Sequence, residues 1–200
     1  MKGSLIIVGF FVLGTICGVC HLLPFDIAET NISYYALCAL MFSVGLSVGN
    51  DPQTLKNFRS LNPRLVFLPI MTILGTLAGS AAVSLILTHR SITDCLAVGS
   101  GFGYYSLSSI FITEYKGAEL GTIALLANIS REILTLLAAP LLVRWFGNLA
   151  TISAGGATTM DTTLPIITRT AGQQFVVVSI FHGFVVDFSV PFLVTLFCSI

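Results

Sequence analysis

Apolar stretches long enough to cross a lipid bilayer follow one another along most of this chain. A helix that spans the hydrocarbon core needs about 20 mainly apolar residues. Five stretches meet that length and are predicted to be membrane-spanning helices: 4–23, 31–50, 65–88, 120–143 and 171–200. The pattern therefore predicts an all-α integral membrane protein, a polytopic helical bundle in which residues 1–200 form a single transmembrane domain.

Two further apolar segments, 92–113 and 148–168, contain glycine-rich interruptions. Irregular backbone at membrane depth leaves N–H and C=O groups unpaired, and it is tolerated only where it is buried in protein or lines a wet cavity. We therefore predict that both segments are discontinuous, either as broken helices that cross or as re-entrant hairpins. Glycine that merely allows helices to pack closely is the structural alternative for each segment.

One polar stripe runs through the apolar stretch 120–143. Asn128, Arg131, Glu132 and Thr135 follow the i, i+3, i+4, i+7 spacing of a single helical face. An ionisable side chain at the bilayer centre costs about 2.5 to 3.5 kcal/mol even on lenient insertion scales. The stripe is therefore predicted to face a transport pathway or a paired interior site rather than lipid.

Composition and charge agree with a membrane protein. Hydrophobic residues make up 55% of the chain and charged residues only 9%, whereas a soluble domain has about 25% charged residues. The formal net charge is zero, so no basic field for nucleic acid is predicted. Lys56, Arg59 and Arg64 crowd the loop between the second and third predicted spans. The positive-inside rule therefore predicts a cytoplasmic N-terminus and an external C-terminus.

The second glycine-rich segment also contains a carboxylate and helix-starting residues. Asp161, Thr162 and Thr163 suit the N-cap of a helix, and Pro165 suits its first turn. Transporters use such discontinuous helices to aim helix N-termini at anionic substrate groups and carbonyl oxygens at cations. The residues predicted to bind substrate or ions are Gly101, Gly103, Tyr104, Ser106, Asn128, Arg131, Glu132, Thr159, Asp161, Thr162, His182 and Asp187.

His182 and Asp187 are the polar residues of the last predicted span. Five residues correspond to about 140° of rotation around a helix, so the two side chains are not expected to form a His–Asp pair. His182 is interpreted either as a proton relay or as a hydrogen-bond partner of a neighbouring helix.

The segment Cys17-Gly18-Val19-Cys20-His21 matches the pattern for covalent haem attachment. It lies inside an apolar span, where an accessible thiol pair and a haem-sized pocket are not expected, so no haem is predicted. No metal-ligand spacing and no nucleophile motif occurs in the sequence. We therefore predict no cofactor, no metal and no enzyme activity.

Several ordered runs resemble the LysO-type lysine exporters. The runs are 101–108 (GFGYYSLS), 131–132 (RE), 157–165 (ATTMDTTLP), 169–170 (RT) and 182–184 (HGF). The resemblance covers essentially the whole chain and implies an exporter of L-lysine in the cytoplasmic (inner) membrane. Full-length members have a further N-terminal membrane section, so the resemblance also implies a homodimer or a separately encoded small membrane subunit. In the family an aspartate can stand at the position of Asn128.

The residues and the resemblance together lead to a hypothesis of proton antiport. Arg131 and the half-helix N-termini would bind the substrate carboxylate, while Asp161 or Glu132 would accept the ammonium group or a proton. The two glycine-rich breaks are expected to face each other near the bilayer midplane, with Arg131, Glu132 and Asp161 within water-mediated reach. A passive channel for small solutes and a non-transporting membrane scaffold are the alternatives.

Overall fold

The structure is a computed structural model that describes residues 16–17, 35, 63–87 and 89–200. By internal contacts the chain divides into two units, Met1–Asp51 and Pro52–Ile200, and the fold described below belongs to the second. Apart from residues 16–17 and 35, the predicted spans 4–23 and 31–50 lie outside the described residues, and so do the haem-type motif apart from Cys17 and the loop with Lys56 and Arg59.

The described part of the second unit consists of helices joined by turns and contains no strand. In chain order the helices are α1 (Pro63–Val66), α2 (Leu68–Ser84), α3 (Ile92–Gly99), α4 (Tyr105–Lys116), α5 (Ala118–Phe146), α6 (Leu149–Gly155), a 3-10 helix (Gly156–Met160), α7 (Leu164–Ala171), a 3-10 turn (Gln173–Phe175) and α8 (Val176–Ser199).

Two of these helical segments are long and apolar enough to cross a membrane. They are Ala118–Phe146, with 29 residues, and Gln173–Ser199, with 27 residues. They coincide with the predicted stretches 120–143 and 171–200, which are therefore helical; that they span a membrane stays a prediction. Helix α2 is apolar but has 17 residues, and the chain turns at 85–86, before the predicted end of that stretch at 88.

Helices α3 and α4 form a hairpin whose open end is closed by an ion pair. Ser91 caps the N-terminus of α3 by accepting a hydrogen bond from the backbone N–H of Asp94 at 3.0 Å. The Asp94 carboxylate in turn lies 3.7 Å from the Lys116 ammonium in the last turn of α4. Cys198, near the end of α8, is within electrostatic range of both charges. The start of α3, the end of α4 and the end of α8 are therefore neighbours.

Helices α6 and α7 approach the other end of α8. Ile152 of α6, Ile167 and Ala171 of α7 and Val178 of α8 form one buried apolar cluster. Since Val178 lies in the first turn of α8 and Cys198 in the last, the pairs α3–α4 and α6–α7 pack against opposite ends of that helix. The closed ends of the two pairs, which are the glycine-rich turns, lie between them.

Candidate functional site

The two glycine-rich turns touch each other. The backbone N–H of Ala157 donates to the carbonyl oxygen of Phe102 at 3.0 Å. A Cβ atom on Gly156 would overlap that same oxygen, and a Cβ on Gly103 would lie 3.2 Å from the carbonyl oxygen of Gly155. All five residues are buried, and we call them the junction. Glycine is needed at 103 and 156 because the two backbones approach too closely for a side chain.

Phe102 occupies a conformation that bulky residues seldom adopt. Its φ angle is +46°, and it is the only described non-glycine residue with a positive φ. The side chain is nonetheless fully buried, at 0% exposure. Backbone strain of this kind persists only where the surrounding contacts over-determine it, and it concentrates at functional sites.

Arg131 of α5 reaches the C-terminal end of α6. Its Nε donates to the carbonyl oxygen of Ala154 at 2.8 Å, and Nη2 donates to that of Ser153 at 3.0 Å. Nη1 lies 3.4 Å from the Thr76 hydroxyl, and the guanidinium carbon is 5.9 Å from the centre of the Phe102 ring. The last carbonyls of a helix lack partners within the helix and present partial negative charge, so a planar cation is favourable there.

Asn128, one turn earlier on α5, holds the first glycine-rich turn. Its Oδ1 accepts from the backbone N–H of Gly103 at 2.7 Å. Its Nδ2 donates to the carbonyl oxygens of Val98 at 3.1 Å and of Ala124 at 2.9 Å. The amide thus satisfies backbone groups on both sides of the turn, which a buried non-helical segment requires.

His182 of α8 joins two other elements. Its Nε2 is 2.9 Å from the hydroxyl of Thr72 on α2, and its Nδ1 is 3.2 Å from the hydroxyl of Thr159 on the 3-10 helix. The side chain is fully buried. Its hydrogen-bond partners are therefore threonines rather than Asp187, in line with the different faces expected for the two residues.

Two carboxylates and a phenol gather beside the second turn. Asp187, at the middle of α8, is 6% exposed, whereas Asp161 is exposed. The two carboxylates are within electrostatic range of each other, and the Tyr104 phenol is within range of both. Asp161 Oδ1 accepts from the backbone N–H of Thr162 at 2.6 Å. No ion pair neutralises Asp161 or Asp187 among the described residues. We call these two residues the acid pair.

The remaining predicted residues are placed less centrally. Ser106 and Thr162 are exposed, Gly101 and Thr159 are buried, and Glu132 is half-buried. Neither Glu132 nor Asp161 forms an ion pair with Arg131 in the described part of the chain. The two glycine-rich turns thus touch each other, and the water-mediated reach expected for Arg131, Glu132 and Asp161 stays a prediction.

Sequence reasoning missed the contribution of α2. Thr72 and Thr76 bond to His182 and Arg131, and Ser80 packs against Gly99 of α3. The available signal was their spacing of four residues, which places all three hydroxyls on one face of a helix. Phe102 was also missed as a functional candidate, because its unusual backbone angle has no signature in the sequence.

A groove of about 730 Å³ lies between α2, α3 and α5 in the part of the chain that the structure describes. Arg90 and Asp94 line one end, and Asn128 and Arg131 line the end that reaches the junction. Apart from these residues its walls are mainly apolar or small. No group of three or more His, Cys, Asp and Glu side chains that could hold a metal ion occurs among the described residues.

Fold and site together define a class of protein. It is a helical membrane protein in which ionisable side chains surround buried, non-helical backbone between two apolar helices long enough to cross a bilayer. The chain belongs to the lysine exporter LysO family, whose family model matches residues 8–198. The family is one of membrane transporters, which are not a class of enzyme.

Two relatives are similar to the chain over nearly its whole length. The lysine exporter LysO of Escherichia coli is 36% identical over 196 residues, which is 98% of this chain and 64% of the relative. A putative lysine exporter of Haemophilus influenzae is 34% identical over 196 residues, 98% of this chain and 96% of the relative. The chain thus spans a little under two thirds of the first relative. No solved structure matches it.

Proposed function

We propose that this protein exports L-lysine, or a closely related cationic amino acid, across the cytoplasmic membrane in exchange for protons. The observation that supports this most directly is the acid pair beside the junction of two glycine-rich turns. Unneutralised carboxylates at membrane depth attract a cation or a proton. Both relatives are named as lysine exporters, one of them putatively, which favours lysine as the cation.

The proposed topology has two re-entrant hairpins, 92–116 and 149–171, that enter from opposite sides. The ion pair between Asp94 and Lys116 supports a shared side for the two ends of the first hairpin. The cluster of Ile152, Ile167 and Ala171 supports the same for the second. Discontinuous elements that meet near the midplane are the usual architecture of substrate sites in secondary transporters.

The distribution of basic residues orients this topology. Arg144 and Arg169 would share a side with the basic loop before α1, while Arg90 and Lys116 would lie on the opposite side. The more basic side is the cytoplasmic one by the positive-inside rule. The end of α8 then faces outward.

Within the site, the acid pair would bind an ammonium group of the substrate. The N-terminus of α4 begins at Tyr105, directly after the Tyr104 phenol that lies in range of both carboxylates. Its first N–H groups would bind the substrate carboxylate, because helix N-termini favour anions. Arg131 already donates to Ala154 and Ser153, so we assign the carboxylate to α4 rather than to this guanidinium.

Proton exchange explains how a cation can leave the cell. Moving one positive charge outward against an inside-negative potential costs about 2.3 kcal/mol per 100 mV. A proton that enters for each lysine that leaves removes this cost. Asp161 and Asp187 can each hold either a proton or an ammonium group, so occupation by one would exclude the other at the same carboxylate.

Reconstitution into liposomes tests the proposal. Lysine loaded inside should leave faster when a pH gradient drives protons inward, and norleucine, which lacks the terminal ammonium, should not leave. Lysine flux that ignores the pH gradient would favour a passive channel. Absence of flux from well-folded protein, with and without any co-purified subunit, would favour a scaffold.

The working unit is proposed to be a homodimer or a complex with a small membrane subunit. The mass of the complex purified from its native membrane distinguishes the two. A single protomer that transports lysine alone would contradict both.

A further inference from the structure

The junction lies between a groove and an exposed carboxylate. On one side the groove between α2, α3 and α5 ends at Asn128 and Arg131. On the other side lie the exposed carboxylate of Asp161 and the half-buried Tyr104. Between them Phe102 is 0% exposed, and the turn residues 155–159 are all buried. Neither Asp161 nor Asp187 lines the groove.

A solute that passed from the groove to the Asp161 carboxylate through this part of the fold would require the junction to open. We propose that the junction is the closed gate of the transport path, and that Arg131 and Phe102 are the positioning residues that hold it shut. This inference rests on the proposed transport function. It assigns Arg131 a role in holding two backbone segments together instead of a role in binding substrate.

The contacts of Arg131 support its role in holding the junction closed. They join α5 to the C-terminal carbonyls of α6 and to the ring of Phe102 in the first turn. The other direct bond across the junction is the single one from Ala157 N–H to Phe102 oxygen. A guanidinium can bond two carbonyls at once and cover an aromatic ring, because its donors lie in one plane. A lysine ammonium cannot reproduce that geometry.

The conformation of Phe102 supports a gate rather than a fixed wall. A positive φ at a bulky residue favours departure from the closed arrangement, and the burial of the ring beneath Arg131 opposes it. An element with two opposing tendencies of this kind is what a two-state switch needs. Gly103 and Gly156, with φ of +94° and +64°, flank the contact and can absorb the backbone rotation.

Thiol labelling of a gate residue tests the inference. In a variant without native cysteines, Thr158→Cys places a reporter on the second turn, where the side chain is 7% exposed. Ser106→Cys, at an exposed position, gives the labelling rate of a fully accessible thiol. Loss of a charge-assisted hydrogen bond shifts an opening equilibrium by about tenfold. Arg131→Lys should therefore raise the labelling rate at 158 by about tenfold.

Two controls separate opening of the gate from general loosening. Glu114→Gln removes an exposed charge at the end of α4 and should leave the rate at 158 unchanged. Ala139→Cys, fully buried farther along α5, should stay protected in the Arg131→Lys background. Equal acceleration at 139 and 158 would mean that Arg131 is merely structural and would overturn the gate.

A second variant keeps the test decisive if Arg131→Lys does not accumulate. Phe102→Leu keeps an apolar side chain but removes the ring beneath the guanidinium, and it should also accelerate labelling at 158. Unchanged labelling in the variants that fold would overturn the proposal. The labelling assay needs no lysine. Accelerated labelling in these variants, together with no lysine flux in the native protein, would refute the export proposal but not the opening of the junction.

Discussion

Individual polar side chains at the junction mainly form hydrogen bonds with backbone groups. Asn128 and Arg131 were predicted from their spacing and their depth in an apolar stretch, and both do lie at the glycine-rich turns. What the spacing could not predict is the identity of their partners, most of which are carbonyl and N–H groups of segments more than twenty residues away. The position of a polar residue on a helix is local information, whereas its partner depends on tertiary packing.

Asn128→Asp tests whether an amide is required at this position. A carboxylate can accept from Gly103 N–H but cannot donate to Val98 or Ala124, and a protonated carboxyl can donate to one of them. We expect a loss of about 1–3 kcal/mol in the free energy of unfolding. The loss should be larger at pH 8 than at pH 5, because protonation restores one donor. Thermal unfolding in detergent at both pH values measures it, and a pH-independent loss would contradict this account.

Gly156→Ala tests the close approach of the two turns. The new methyl group would overlap the Phe102 carbonyl oxygen, and the φ of +64° disfavours any side chain. We expect destabilisation of about 1–3 kcal/mol and loss of lysine flux. Gly75→Ala on α2 is the matched control, because nothing lies within 4 Å of its added Cβ and it does not line the groove, and it should behave like the native protein. Normal stability and flux in Gly156→Ala would show that the turns are not held in contact.

At the level of elements, hydropathy predicted the two long helices because their length and composition suffice. The same reasoning could not decide how 92–113 and 148–168 run, since either segment has enough residues to cross or to turn back. Contacts between elements, such as the ion pair of Asp94 with Lys116, which are 22 positions apart, depend on tertiary packing and have no signature in the sequence. The role of α2 was missed for a similar reason, because threonine and serine are common on membrane helices and bond to their own backbone.

Sidedness of exposed positions tests the two re-entrant hairpins. His89→Cys and Tyr115→Cys should be labelled by a membrane-impermeant thiol reagent from the same side. Trp145→Cys and Gln174→Cys should both be labelled from the opposite side. Each variant is made in the cysteine-free background and compared in intact cells and inside-out vesicles. Labelling of 89 and 115 from opposite sides would mean that the first segment crosses the membrane.

On the scale of the whole molecule, the balance of charge across the membrane constrains the mechanism. The described ion pairs, Arg90 with Glu119 and Asp94 with Lys116, lie at the ends of helices, where water is near. Asp187 lies at the middle of the apolar helix α8 and is almost fully buried. A carboxylate kept at such depth without a cationic neighbour in the described chain is expected to exchange its counter-ion during function.

Replacing each member of the acid pair by its amide tests this exchange. Asp161→Asn and Asp187→Asn keep the side-chain shape and remove only the charge, so both should reach normal abundance in the membrane. Both should lose most lysine efflux driven by an inward proton gradient, because neither amide can release a proton or bind ammonium as an ion. Glu114→Gln, an exposed carboxylate at the end of α4, is the control and should retain efflux. If efflux persists in Asp187→Asn but not in Asp161→Asn, the binding site is limited to the exposed carboxylate. If efflux persists in both variants, the acid pair takes no part in the mechanism.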